Sequence, residues 1–380
     1  MTKVTEKPKI NVLLNVTCLT LLMLDSGGGL RLRNISFLIM FYFAMKGALA
    51  YKSVNKTFLL IYIFFLLSLV PGILTSISNS IPIPQILVWL MAFMLIPLFY
   101  FYAKGSGLSE RCFVLAGAIF STIVVLLFFG RLMDIGFIVG INDYISSHSD
   151  GFFGSKNFLS GDILPNVYFQ GTLSVIICGA LSLRSKNYFV FCTILLGLML
   201  APSRFGFMVL LLWVSFLFFR KSLIRLMFLP VIFVLIFIVL QSLPFGKELF
   251  SVFTGESDAI DIRNGHFMSV YHVFADNPLY FFFGQGPGST FFSTGISAVA
   301  DNIEISQLEY IRKYGVISFV VFCVFYFLPF LSRTNSDIFI KGALVLYFIV
   351  SFSNPVLFSI FSMLFLAFVY VKIFDKQQLT

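Results

Sequence analysis

Apolar residues run along the chain in blocks of about 16 to 25 separated by short polar breaks, and each block is long enough to cross a ~30 Å hydrocarbon layer as a helix. The blocks fall at 10–26, 34–51, 57–76, 83–103, 112–130, 166–183, 187–202, 205–219, 226–243, 305–331, 337–353 and 355–372. They predict an all-α polytopic membrane protein of about 12 transmembrane helices, with residues 1–380 forming a single integral membrane domain. Two connections are too long to be turns: 131–165 and 244–304, expected as long periplasmic loops containing short amphipathic helices. Long ordered loops on a compact scaffold usually carry function. Neither an internal repeat nor a matched pair of Gly/Pro-broken spans is visible, which speaks against a secondary transporter.

Composition narrows the class. Only 11% of residues are charged and 59% are hydrophobic, against roughly 25% charged in ordinary globular proteins, so a soluble single domain is excluded. Lys3, Lys7 and Lys9 precede an apolar stretch that lacks a small-residue cleavage site, and the first span is expected to be retained. With the N-terminus cytoplasmic, most of the 26 basic residues fall on the inside, whereas only Glu6, Glu110, Asp337 and Asp375 of the 17 acids do. Both termini are therefore expected in the cytoplasm. Topology accounts for the net charge of +9, and no nucleic-acid partner is implied. The five cysteines, Cys18, Cys112, Cys178, Cys192 and Cys323, lie in or beside apolar blocks without metal-ligand spacing and read as packing residues.

The informative charges gather on the outside. Arg204 sits in Ala201-Pro202-Ser203-Arg204-Phe205 between two spans of only about 22 to 26 Å at 1.5 Å per residue, so its turn is expected at headgroup depth. A guanidinium there either snorkels to lipid headgroups or grips the phosphates of a membrane-embedded substrate. In the longer loop, Arg263, Phe267, Val270, Tyr271 and Phe274 share a face at helical spacing up to Asp276-Asn277-Pro278. This predicts an interfacial amphipathic helix holding Arg263 at the height of Arg204, or else a surface anchor paired with Asp261. His266 lies one turn from Arg263, a possible substrate contact, and His272 is too far round the helix to share a metal with it. The acids Glu256, Asp258 and Asp261 read as a solvated run ahead of a hard-metal site. Gly284-Gln285-Gly286-Pro287-Gly288 lacks the βαβ frame of a nucleotide loop and is expected to be a turn that folds back toward the membrane. Glu309 has Arg312 and Lys313 at i+3 and i+4 and is expected to pair with them, or else to contact substrate. Glu304 has no cation within a turn, which leaves its carboxylate for general-base work or for solvent.

Ala201-Pro202-Ser203-Arg204-Phe205-Gly206, then Asn277-Pro278-Leu279-Tyr280 leading into Phe283-Gly284-Gln285-Gly286-Pro287-Gly288, then Glu304 to Gly315 entering a span, together with the many-span layout, form an ordered set. In this set the chain resembles the O-antigen polymerase (Wzy) family, related to the O-antigen ligases. The resemblance implies a metal-independent, inverting glycosyltransferase of the bacterial inner membrane with no cofactor. It implies a polyprenyl-diphosphate-linked oligosaccharide as donor, a second such unit as acceptor, and a separate chain-length regulator as partner. Ligases commonly carry a histidine eleven residues before the glycine matching Gly315; here that position is Glu304, which favours the polymerase. The paired-arginine motifs of some polymerases are not matched at Arg131, Arg204 or Arg263. On this reading Arg204 and Arg263 bind the diphosphate, Glu304 is the base, and Tyr271 and Tyr280 stack on sugars. The alternatives are a ligase and a flippase for lipid-linked oligosaccharide.

Overall fold

The computed structural model describes residues 9–50, 54–148, 151–157, 163–201, 203–220, 258–331 and 337–374. The stretch expected as a span at 226–243, together with Glu256, lies outside the described residues, as do the side chains of Arg204 and Asp258. The chain is mostly helical. In order it forms α1 (Lys9–Leu24), α2 (Leu32–Ala50), α3 (Lys56–Ser78), α4 (Ile83–Met94), α5 (Ile96–Ser106), α6 (Glu110–Leu132) and α7 (Gly136–His148). The antiparallel hairpin β1 (Phe152–Asn157) and β2 (Ile163–Tyr168) follows, then α8 (Val175–Ser182), α9 (Tyr188–Leu200) and α10 (Arg204–Phe219). After the undescribed stretch come α11 (Asp258–Asp276), α12 (Leu279–Phe283) and a second hairpin, β3 (Phe291–Ser293) with β4 (Ala298–Ala300). The chain closes with α13 (Ser306–Leu331), α14 (Ile338–Val350) and α15 (Ile360–Phe374).

Among the described residues five helical segments are long and apolar enough to cross a membrane: Leu32–Ala50, Lys56–Ser78, Ile83–Ser106, Glu110–Leu132 and Ser306–Leu331. The stretch expected as a sixth span, 166–183, differs. It holds the end of β2, a 3-10 turn over Gln170–Ser174 and the eight-residue α8, about 12 Å long. All eight residues of α8 are buried, packed by α6, α9, α10 and α14. Its apolarity serves protein packing, and hydropathy alone does not separate that from lipid exposure. The two hairpins in the long loops are a second departure from the all-α expectation.

Two proline breaks inside the bundle are repaired by tyrosines. Pro97 cannot donate to Phe93, and the freed carbonyl accepts the Tyr62 hydroxyl at 3.0 Å. Pro329 leaves the Phe325 carbonyl open in the same way, and Tyr370 donates to it. Elsewhere small residues let helices touch: a Cβ on Gly105 would lie 2.0 Å from the Phe43 carbonyl oxygen, so α2 and α5 approach backbone to backbone.

Candidate functional site

Charge separates to two ends of the bundle. At one end Glu110 at the start of α6 pairs with Arg184 and Lys372, and Arg184 also reaches Asp337. These four are residues that the charge count places on a single side. The 13 residues of α14, about 20 Å, carry the chain from Asp337 to the opposite end, where the turn 351–359 leads back into α15. Here Ser306 N–H donates to the Ser351 carbonyl at 3.0 Å, Ser306 Oγ donates to the Asn354 carbonyl at 2.9 Å, and Gln307 Nε2 donates to Ser351 Oγ at 2.6 Å. The start of α13 is thereby stapled to that turn.

Against this staple lies the pair that the sequence places 41 residues apart: Arg263 Nε donates to Glu304 Oε2 at 2.9 Å, and Arg263 Nη2 reaches the Ser353 carbonyl at 3.3 Å. The side chains are 29% and 44% exposed, open enough to meet a ligand and fixed enough to be oriented. Arg263 pairs with Glu304 and not with its neighbour Asp261, and Glu304 is not the cation-free carboxylate that its own helix suggests. Glu304 Oε1 has no partner among the described residues. Tyr168, at the end of β2, brings the first long loop to the same place. Burial pushes its phenol well above the ordinary range, and the nearby Tyr347 hydroxyl and Glu304 carboxylate add to the shift.

Behind the pair is a fully buried charged cluster. Glu309 accepts from Arg312 Nε at 2.9 Å on Oε2 and from Nη2 at 2.7 Å on Oε1, and Lys313 Nζ sits 2.6 Å from that same Oε1 while lying over the Trp89 ring. Both carboxylate oxygens of Glu309 are thus engaged. Arg312 also donates to Gln285 Oε1 at 2.9 Å, to the Ser289 carbonyl and hydroxyl at 3.1 Å, and to the Asp301 carbonyl at 2.9 Å, with Phe291 stacked 4.7 Å from its guanidinium. This one side chain gathers the whole 285–301 stretch onto the head of α13.

The glycine run is the turn that makes this possible. Gly284, Gly286 and Gly288 have φ of +87°, +103° and +85°, the left-handed region that favours glycine. Gln285 N–H donates to the Arg312 carbonyl and Gly286 N–H to the Lys313 carbonyl, while Ser76 Oγ of α3 donates to the Pro287 carbonyl. Gly315 itself, at φ +82°, bends α13 and lies against the Phe282 carbonyl.

α11 forms where expected, and its protein-facing side includes polar residues. Phe267 and Tyr271 are exposed at 54% and 58%, whereas His266, Ser269 and Val270 are buried. The hairpin supplies the reason: Ser293 Oγ lies 2.7 Å from His266 Nδ1 and Thr294 Oγ1 lies 3.1 Å from Ser269 Oγ, so polar residues have partners on that side. Burial lowers the His266 pKa, and the Glu304 and Glu309 carboxylates oppose the shift. Tyr280 is half-buried in a cleft between α3 and α12. α10 begins at Arg204, and since α9 runs away from the Glu110–Arg184 end, that start is at the same end as the Arg263–Glu304 pair.

Sequence reasoning did not reach Tyr168, hidden in an apparent span, or Ser353, whose backbone oxygen carries no signal. Arg312 entered only as a partner of Glu309. Its hub role had one visible sign, two adjacent cations beside an apolar block. Among the described residues no group of three or more His, Cys, Asp or Glu side chains is arranged to hold a metal ion. No family model matches the chain, and no curated protein matches it.

Proposed function

We propose that the protein is an inverting, metal-independent glycosyltransferase of the bacterial inner membrane. It polymerises lipid-linked O-antigen repeat units at the periplasmic face, with both termini in the cytoplasm. The observation that carries this reading is the Arg263–Glu304 pair, half-exposed at one end of the bundle beside the buried Glu309–Arg312–Lys313 cluster. A sugar 1-diphosphate accumulates negative charge as its C1–O bond breaks, and a fixed guanidinium stabilises that charge without a metal. Arg263 takes this role with Arg204, whose helix starts at the same end. The hydroxyl of the acceptor unit attacks C1 from the opposite face. Its proton passes to Glu304 Oε1, the oxygen that Arg263 leaves open, and the polyprenyl diphosphate departs with the bonding electrons. The pairing itself sets the geometry, because Arg263 Nε orients the carboxylate.

The test is a deletion strain complemented with variants, read on glycan ladders and in a purified assay. Loss of the gene leaves surface polysaccharide of single units. Arg263→Ala and Arg204→Ala give the same single-unit phenotype, and Glu304→Gln lowers kcat more than it raises KM. A half-exposed pair contributes only ~0–1 kcal/mol to stability, so these proteins remain inserted. Long carrier-linked chains in the deletion strain, or normal ladders from Arg263→Ala, refute the proposal. Absence of any surface glycan points instead to a ligase or flippase.

A further inference from the structure

The α3–α12 cleft is separate from the Arg263–Glu304 pair. Its volume is about 490 Å³, within the ~300–1,000 Å³ range of small-molecule sites. Pro71, Leu74 and Leu279 give it apolar surface, while Thr75, Ser78, Asn79 and Asn277 give it a polar side. The hydrogen bonds of those four fix what each still offers. Thr75 donates to the Pro71 carbonyl and Ser78 to the Thr75 carbonyl, so both hydroxyls keep lone pairs only. Asn79 donates through Nδ2 to the Gln285 carbonyl at 3.3 Å, which leaves Oδ1 as an acceptor. Asn277 accepts the Leu279 N–H on Oδ1 at 3.2 Å, which leaves Nδ2 as a donor. Tyr280 and Phe283 add aromatic faces. The ten lining residues include no cation, so a diphosphate has no counter-charge there.

We infer that this cleft is a carbohydrate subsite that takes one neutral sugar of a glycan, held between the Asn79 and Asn277 amides with its C–H face on Tyr280. Sugar hydroxyls both donate and accept, which matches the hydroxyl and amide acceptors and the Asn79 and Asn277 amide hydrogens around an aromatic wall. A bare acyl chain would meet none of the hydrogen-bonding capacity that these four groups have left over. The subsite rests on the proposed function only for the reason a glycan is present, and its chemistry stands without turnover. Because Asn79 bonds to Gln285 and Gln285 bonds to Arg312, occupancy is read directly by the loop that is pinned to the charged cluster.

The experiment uses the full-length protein in nanodiscs and saturation-transfer NMR with methyl glucoside, methyl galactoside and methyl N-acetylglucosaminide as probes. At least one glycoside is expected to receive saturation from the protein. Its affinity falls about tenfold in Asn277→Ala and in Asn79→Ala, each of which removes one hydrogen bond to the sugar along with the internal bond to Leu279 or Gln285. Arg184→Gln, at the other end of the bundle, binds as the wild type does. Silence from all three glycosides overturns the subsite, as does equal binding by the Asn79→Ala/Asn277→Ala double variant. A protein that binds glycosides through these amides and yet extends no chain refutes the transferase reading and leaves the subsite standing. Normal extension with unaltered glycoside binding in the double variant does the reverse.

Discussion

Replacing Arg312 by alanine tests the architecture most directly. The side chain is fully buried and donates to Glu309, Gln285, Ser289 and Asp301. Breaking a buried ion pair by deleting one member costs ~3–5 kcal/mol. Lys313 stays beside Glu309, so the carboxylate is not left bare and the lower limit applies to the pair. The Ser289 and Asp301 carbonyls lose a donor, and an unmet buried polar group costs ~1–3 kcal/mol. About 3 kcal/mol falls on the docking of 285–301 alone, which is about a hundredfold in its opening equilibrium. Hydrogen exchange on the nanodisc-embedded protein reads this at the Gln285 and Gly286 amides, bonded to the Arg312 and Lys313 carbonyls. The expected result is exchange about a hundredfold faster across 285–301. Amides in the middle of α6 should be unmoved. Gln285→Ala, which removes the Arg312 contact and the Nε2 bond to the Thr290 carbonyl, gives a step of at least about tenfold. Exchange in Arg312→Ala within about threefold of wild type would refute the claim that one guanidinium holds the loop.

Three further outcomes are expected. Gly315→Ala introduces a Cβ 2.0 Å from the Phe282 carbonyl oxygen at φ +82°, and a loss of at least ~2 kcal/mol is expected in thermal unfolding in detergent. His266 is held neutral by burial, with its pKa lowered from 6.5, so the unfolded chain binds its proton first. The stabilisation is full above about pH 6.5 and is lost as pH falls below it; His266→Gln should flatten this acid limb of the melting profile, and an unchanged limb excludes the residue. Excess EDTA leaves chain extension at its full rate if the mechanism proposed above holds, and a rate restored only by added divalent ion contradicts it.

Hydropathy located α2, α3, α6 and the spanning part of α13 to within a few residues, because lipid-facing helices must be apolar over a fixed length. It failed at 166–183, where α8 is apolar through burial inside the protein. It also located 83–103, seen as the segment Ile83–Ser106, which a local break at Leu95 ahead of Pro97 divides into α4 and α5. The i+3 and i+4 partners of Glu309 were legible, since helix geometry makes them local. The Arg263–Glu304 pair was legible as two residues and illegible as a contact, because only the tertiary fold brings α11 to the head of α13. The inward turn of His266 depended on Ser293 in a hairpin too short and irregular to announce itself by alternation.

The bend at Gly315 has a consequence for how the molecule assembles. In an unbroken helix the Arg312 and Lys313 carbonyls would accept from Val316 and Ile317; here they accept from Gln285 and Gly286. A broken turn at the edge of a hydrocarbon layer strands two acceptors, and the glycine run strands two donors, each at several kcal/mol. The ribosome delivers the donors first, and their acceptors follow only with the segment that carries Arg312 and Lys313.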